Sequence, residues 1–254
     1  MQQKLEFMKS KTLYHTLEVR NLTKRYQLYP ALDSISFEAN SAEIIGLIGA
    51  NGAGKTTLLR ILATLLNPTM GEIYIKKYNL KTDFLEIRRL IGYMPEEGGL
   101  YLKFNSTMIL QFYASFYHQC HEVNKDINYF LDIFDLVPMK NQQIGKFSKG
   151  MRQKLLFIRA ILHNPDLILL DEPFIAMDPE TKFKIKQILL DKKQEGKTIL
   201  FSSHTLTDVE DLCDRIIVLK NAKIILDQNL LKLFNDDKHK DMNTLEEIYL
   251  KLME

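Results

Sequence analysis

The chain has no tryptophan and only two cysteines, Cys120 and Cys213, in 254 residues. A chain of this length can bury enough apolar surface to fold without disulfide staples, so both cysteines are read as reduced thiols. No apolar run reaches the roughly 20 residues that a helix needs to cross a bilayer. Leu155-Leu156-Phe157-Ile158, for example, is cut by Arg159. The opening Met1-Gln2-Gln3-Lys4 leads into no apolar signal core. Charge of one sign is also missing: 34 Lys and Arg stand against 32 Asp and Glu, spread along the chain. Without a basic tail or patch, no nucleic-acid partner is expected. Internal repeats, low-complexity tracts and long linkers are likewise absent. Together these absences lead us to expect a cytoplasmic protein with one large domain, whose core is supplied by the 46% hydrophobic content.

What is present alternates between two periods. Strand-like runs occur at Leu13 to Arg20, Ser34 to Phe37, Ile44 to Ile48, Glu72 to Ile75, Leu167 to Leu170, Thr198 to Phe201, Arg215 to Leu219 and Lys223 to Leu226. Leu167-Ile168-Leu169-Leu170 is apolar at every position, as a strand buried on both faces of a parallel sheet must be. Between about Asn105 and His163 the period is helical, with Met151, Leu155, Ile158 and Leu162 on one stripe. The pattern predicts an α/β core carrying an inserted helical block.

Gly49-Ala50-Asn51-Gly52-Ala53-Gly54-Lys55-Thr56-Thr57 joins the Ile44 to Ile48 run to a helix-like segment. Glycines let successive backbone N–H groups close on a phosphate chain, and the following helix adds its positive end. In such a loop Lys55 reaches the β- and γ-phosphates and the Thr56 hydroxyl takes one Mg²⁺ position. Downstream, Asp171 and Glu172 end an apolar strand, which is where an α/β sheet presents ligand groups. Asp171 is expected to hold Mg²⁺, directly or through water. Glu172 is the candidate general base or water-orienting group for attack on the γ-phosphate. Ser148 and Gly150 open the helix that leads toward this strand, and a serine there caps a helix or meets an anion. Asp178-Pro179 reads as an N-cap with proline at the first helical position. His118-Gln119-Cys120-His121 has two potential ligands on one helical face but no further ligands nearby, so a polar helix end is preferred to a metal site.

With these motifs in this order, the chain resembles the ATP-binding subunits of ABC transporters from about Leu17 to its C-terminus. Gly49 to Thr57 is similar to the Walker A loop, Ser148 to Gln153 to the family signature, and Leu167 to Glu172 to Walker B with its catalytic glutamate. Ala176-Met177-Asp178-Pro179 resembles the D-loop, His204 the switch histidine, and Tyr26 the aromatic that stacks on adenine. The resemblance implies a P-loop NTPase core with a mainly parallel sheet, an N-terminal antiparallel β subdomain and a helical subdomain over about residues 97–163. Residues 17–254 would form one domain, preceded by an extension over 1–16.

It further implies ATP and Mg²⁺ as cofactors. Glu172, His204 and Lys55 would be catalytic, and Thr56, Asp171 and Glu96 would hold the metal. Tyr26, Gly49, Asn51, Gly52, Ala53, Gly54, Lys55, Thr56, Thr57, Glu96, Ser148, Gly150 and Asp178 would contact the nucleotide. Two cassettes, identical chains by expectation, would face each other head to tail. Each site would then join the P-loop of one chain to Ser148 and Gly150 of the other. A separate membrane-spanning subunit would hold the protein at the inner face of the membrane, docking on the aromatic-rich stretch from Glu96 to Tyr117.

Two positions depart from the common pattern: Glu96 stands where many members have glutamine, and Lys149 where glycine is common. Pro95-Glu96-Glu97 with the following Leu100-Tyr101 resembles export-type cassettes, including sodium and drug extrusion systems. The competing expectation is a soluble ABC-type ATPase acting on ribosomes or DNA. A P-loop kinase would explain Lys55 and Asp171 but neither Ser148 nor His204.

Overall fold

The computed structural model describes residues 15–117, 123–236, 242 and 244–253. Among the described residues ten strands form two sheets. In the smaller, β1 (His15–Tyr26) and β2 (Tyr29–Asn40) pair antiparallel around a two-residue turn with Tyr26 opposite Tyr29. β4 (Met70–Ile75) pairs with the other edge of β1, and the short β5 (Tyr78–Asn79) pairs with β4. Leu17, Val19, Ile35, Phe37, Ile73 and Ile75 all point into one apolar cluster, as alternation in a one-sided sheet requires.

The larger sheet has the order β10-β9-β3-β8-β7-β6. It comprises β3 (Ile44–Ile48), β6 (Ile91–Met94), β7 (Leu167–Asp171), β8 (Thr198–Ser202), β9 (Arg215–Lys220) and β10 (Lys223–Asn229). Neighbouring strands are parallel except β10, which returns antiparallel beside β9. Its central strands are buried on both faces. Ile44, Ile48, Ile168, Leu170, Ile199 and Phe201 enter one cluster. Ile45, Leu47, Leu167, Leu169 and Leu200 enter the other, which is continuous with the core of the small sheet. Each such side chain contributes about 1.5–3 kcal/mol of burial, so the apolar runs read in the sequence are the frame on which the strand ends are held.

Among the described residues, α1 (Lys55–Leu62) follows β3 and α2 (Phe84–Leu90) precedes β6. The helical block contains α3 (Ser106–Ala114), α4 (Val123–Ile133) and α5 (Lys149–Ile161). Asn105 caps α3 by accepting from the Met108 amide at 2.9 Å. α6 (Pro179–Gln194), α7 (Leu206–Leu212), α8 (Leu230–Phe234) and α9 (Leu245–Met253) complete the order. The strand-like start at Leu13 and the His118 to His121 cluster lie outside the described residues.

Two strands escape the sequence reading. β6 has four residues and follows α2 with no intervening turn, so neither period has room to declare itself. β5 has only two. β1 and β2 also run beyond the anticipated spans, because hairpin pairing carries them through polar residues such as Lys24 and Arg25.

Candidate functional site

Parallel order places the carboxyl ends of β3, β8 and β7 side by side, with Leu47 beside Ser202 and Ser202 beside Asp171. From β3 the chain turns through the glycine loop into α1. Gly54 has φ of +110°, and a Cβ there would overlap the Ala31 carbonyl, so glycine is required. The loop borders a cavity of about 510 Å³ lined by Asn51, Gly52, Gly54, Lys55, Thr56, Thr57, Glu96, Asp171, Glu172, Ile175 and His204. Seven residues named as nucleotide or metal contacts from sequence thus meet Asp171, Glu172 and His204 in one cavity, although 149 positions separate Lys55 from His204.

Lys55 is buried and donates to the carbonyls of Gly49 at 2.6 Å and Ala50 at 3.2 Å. Burial lowers its pKa, and Glu172, Asp171 and Glu96 counteract that pull. Thr56 Oγ1 donates to Asp171 Oδ1 at 3.2 Å. Ser202 Oγ donates to the same oxygen at 2.7 Å and accepts from the Glu172 amide at 3.0 Å. Ser202 therefore fixes both acids, a role that the apolar run leading to it did not signal. Glu172 has φ of 53°, a left-handed backbone that turns its side chain out of the strand line at the cost of strain. Burial raises its pKa, opposed by the hydrogen bond from His204 and by nearby Lys55. His204 Nδ1 lies 2.8 Å from Glu172 Oε2.

The donor set fits Mg²⁺ held together with phosphate. Asp171 is buried, and its Oδ2 is an acceptor without a hydrogen-bond partner, aimed where a cation or its water would satisfy it. Among the described residues no three His, Cys, Asp or Glu are grouped as a cage for a metal. This suits Mg²⁺, which takes one or two protein ligands and fills the rest with water and phosphate oxygens.

Other residues named from sequence lie outside this cavity. Ala53 is buried beneath the loop, and Gly49 lines a smaller neighbouring cavity. Tyr26 sits at the β1–β2 hairpin end, half exposed, with the Lys24 ammonium 5.1 Å above its ring. Ser148 caps α5 by accepting from the Met151 amide at 3.2 Å. A Cβ at Gly150 would come within 2.8 Å of the Ala176 carbonyl, so glycine permits close approach of α5 to the loop before α6. Asp178 caps α6, accepting from the Thr181 amide at 2.8 Å. Ser148, Gly150 and Asp178 thus form a second constellation.

The two constellations are linked inside the chain. Gln153, buried on α5, donates to the Glu96 carbonyl at 2.5 Å, and Lys149 pairs with Glu97 at 3.2 Å. The Glu96 carboxylate borders the cavity while its backbone is tied to the helix that Ser148 caps. Both departures from the common pattern, at Glu96 and at Lys149, therefore fall on this link.

A family model described as ABC transporter matches residues 32–175. An uncharacterized ABC transporter ATP-binding protein of Methanocaldococcus jannaschii is 40% identical over 210 residues, covering 82% of this chain and 76% of that protein. The ABC transporter ATP-binding protein NatA of Bacillus subtilis is 34% identical, covering 88% and 92% respectively. A solved ATP-binding subunit of an ABC transporter superposes with a TM-score of 0.89 at 30% identity, over 94% of this chain and all of that one. A dimeric post-hydrolysis cassette bound to ADP and phosphate superposes at 0.78 and 27% identity, over 84% and 98%. The P-loop NTPase fold and the motif order agree with these likenesses, and the chain belongs to the ABC transporter family as an ATP-binding, ATP-hydrolysing cassette.

Proposed function

We propose that this chain powers an exporter by closing on a second copy of itself around two molecules of MgATP. The observation that carries the reading is the separation of the two constellations: Lys55, Thr56, Asp171, Glu172 and His204 surround the cavity, whereas Ser148, Gly150 and Asp178 do not line it. Each site then needs the second constellation from the opposite chain. A cassette solved as a dimer with ADP and phosphate supports this arrangement.

In the reaction Lys55 neutralises charge on the β- and γ-phosphates as their bond breaks. Thr56 and Asp171 would hold Mg²⁺, which would supply charge neutralisation to the phosphates. Glu96 stands where it can hold a metal-bound water. Glu172 accepts the proton of the attacking water, and its raised pKa makes it a better base than an ordinary carboxylate. His204 orients Glu172 and meets the γ-phosphate. Tyr26 stacks on adenine. Closure on ATP and opening after hydrolysis supply the mechanical step, because ATP binds the closed pair more tightly than the open one.

The described residues contain no helix long and apolar enough to cross a membrane; in this reading the transport path is supplied by a separate membrane-spanning subunit. Its docking site is a cavity of about 480 Å³ bordered by Pro95, Glu97 and Gly99 of the loop after β6, here called the lid, and by the helical block, where Tyr117 stacks on His163 at 3.8 Å and Arg159 lies 4.9 Å from the Tyr113 ring. Aromatic and arginine anchors of this kind suit a short helix presented by the membrane subunit. Export rests on the Pro95-Glu96-Glu97 lid and the following Leu100-Tyr101. Tagged Glu172→Gln with MgATP, recovered from detergent-solubilised native membranes, should carry a multi-span protein. Recovery of ribosomal or DNA-bound proteins alone would favour the soluble-ATPase reading.

A further inference from the structure

Beside the nucleotide cavity lies a smaller one of about 210 Å³, bordered by Ile48, Gly49, Ala50 and Asn51 of the P-loop, by the switch residue His204, and by Tyr249. Tyr249 comes from α9, 45 positions beyond His204 and outside the segment matched by the family model. Nothing in the sequence marked it.

α9 is fastened to α7, whose first residue Leu206 also borders the cavity, and to β9, the strand beside β3. At its start the Leu245 amide donates to Glu210 on α7, the helix that follows His204. At its end Lys220, which terminates β9 next to β3, donates to the carbonyls of Leu252 at 3.4 Å and Met253 at 2.8 Å. Leu245 and Ile248 are buried in the core between these anchors. Tyr249 is therefore held by both ends of its helix and has little freedom to withdraw from the cavity. His204 is the looser wall, since its imidazole is 59% exposed and bonded to Glu172.

We propose that Tyr249 is a positioning residue of the ATPase site, its ring forming a fixed wall against which the P-loop backbone and the His204 imidazole are set for the γ-phosphate. The ring rather than the hydroxyl does this. The effect falls on the chemical step, because the exposed His204 is the wall free to move, whereas the Gly49 and Ala50 carbonyls are tied to Lys55. A modest displacement of a catalytic group slows chemistry severalfold while leaving substrate affinity in place.

The inference rests on the ATPase reading and on His204 meeting the γ-phosphate. Its test compares Tyr249→Ala, Tyr249→Phe and, as a control on the same helix, the exposed Leu250→Ala. Rates are normalised to protein that binds nucleotide. Tyr249→Ala should lower kcat by about fivefold or more with KM for ATP within about twofold, and Tyr249→Phe should restore most of the loss. The His204 imidazole C–H resonance, identified by its disappearance in His204→Ala, should shift in Tyr249→Ala and stay in place in Leu250→Ala. Wild-type kcat in Tyr249→Ala, an unmoved His204 resonance, or equal losses in the Phe and Ala variants would overturn the proposal. Inactivity of the wild-type chain itself would instead defeat the reading on which it rests.

Discussion

The two constellations contrast in how they are built. Around the cavity Lys55, Asp171 and Glu172 are buried, Lys55 bonded to the loop, Asp171 to Thr56 and Ser202, and Glu172 to Ser202 and His204, and three adjacent strand ends carry the set. Ser148, Gly150 and Asp178 sit instead at helix starts, where they satisfy their own helix ends or allow close packing. The first set has the geometry of a reaction centre, with an orphaned acceptor, a strained glutamate and a lysine whose charge is partly desolvated. The second consists of two helix caps and a close packing contact, and its one acid, Asp178, is occupied in capping α6. On the proposed reading, one half does the chemistry and the other completes the site from a second chain, so that turnover would depend on bringing two chains together.

Breaking the chemical half should give the largest effect. Glu172→Gln should lower kcat by about 10²- to 10⁴-fold while ATP still binds, as measured by single-turnover hydrolysis beside equilibrium binding. Turnover near the wild-type rate would remove Glu172 as the base. In the wild type, protonation of Glu172 switches the base off. Because burial places its pKa above the ordinary 4.5, kcat should rise with pH through a value above 4.5 and fall as pH drops through it. An acid limb at or below 4.5 contradicts the assigned environment.

Removing the lysine acts on the same half at the level of binding. Lys55→Ala deletes a charge-assisted contact to phosphate and should weaken ATP affinity by about 10- to 100-fold, read by calorimetry. Unchanged affinity would mean that the lysine does not meet the phosphates. Ser148→Ala should leave the affinity of a single chain for ATP unaltered yet lower turnover by about tenfold, because it removes a donor supplied only after pairing. If single-chain affinity falls instead, the two halves are not separate.

The smallest change sharpens the comparison at the link. Glu96→Gln removes a carboxylate from the cavity but keeps the backbone carbonyl that Gln153 grips. It should raise the Mg²⁺ concentration for half-maximal activity by about two- to fivefold, with the plateau rate nearly preserved. No movement of the Mg²⁺ curve would leave Glu96 without a metal role.

Much of the chemical half is legible in the chain because each of its pieces is local. A glycine loop needs its lysine and threonine at fixed steps, and a strand buried on both faces must be apolar until it reaches its carboxylates, as Leu167 to Glu172 shows. What escapes is non-local or too brief to have a period. β6 is four residues long and declares itself only by pairing with β7. Ser202 becomes significant once β7 and β8 lie in register and its hydroxyl reaches Asp171. Gln153 shows its purpose when the lid carbonyl of Glu96 arrives 57 positions from elsewhere in the chain. Tyr249 reads as an ordinary helix residue until α9 folds back beside the P-loop. The aromatic stretch was legible as a surface feature, while its partition was not. Tyr113 and Tyr117 line the cavity proposed for docking, and Tyr101, Phe104, Phe112 and Phe116 pack ring against ring.

The most direct test is the mass of Glu172→Gln in solution, measured by sedimentation with and without ATP and repeated with Ser148→Arg in the same chain. The account predicts a single chain without nucleotide, a two-chain species with ATP, and loss of that species when arginine blocks the signature serine. A Glu172→Gln chain that binds ATP and remains single, or a pair indifferent to the Ser148 substitution, would contradict it.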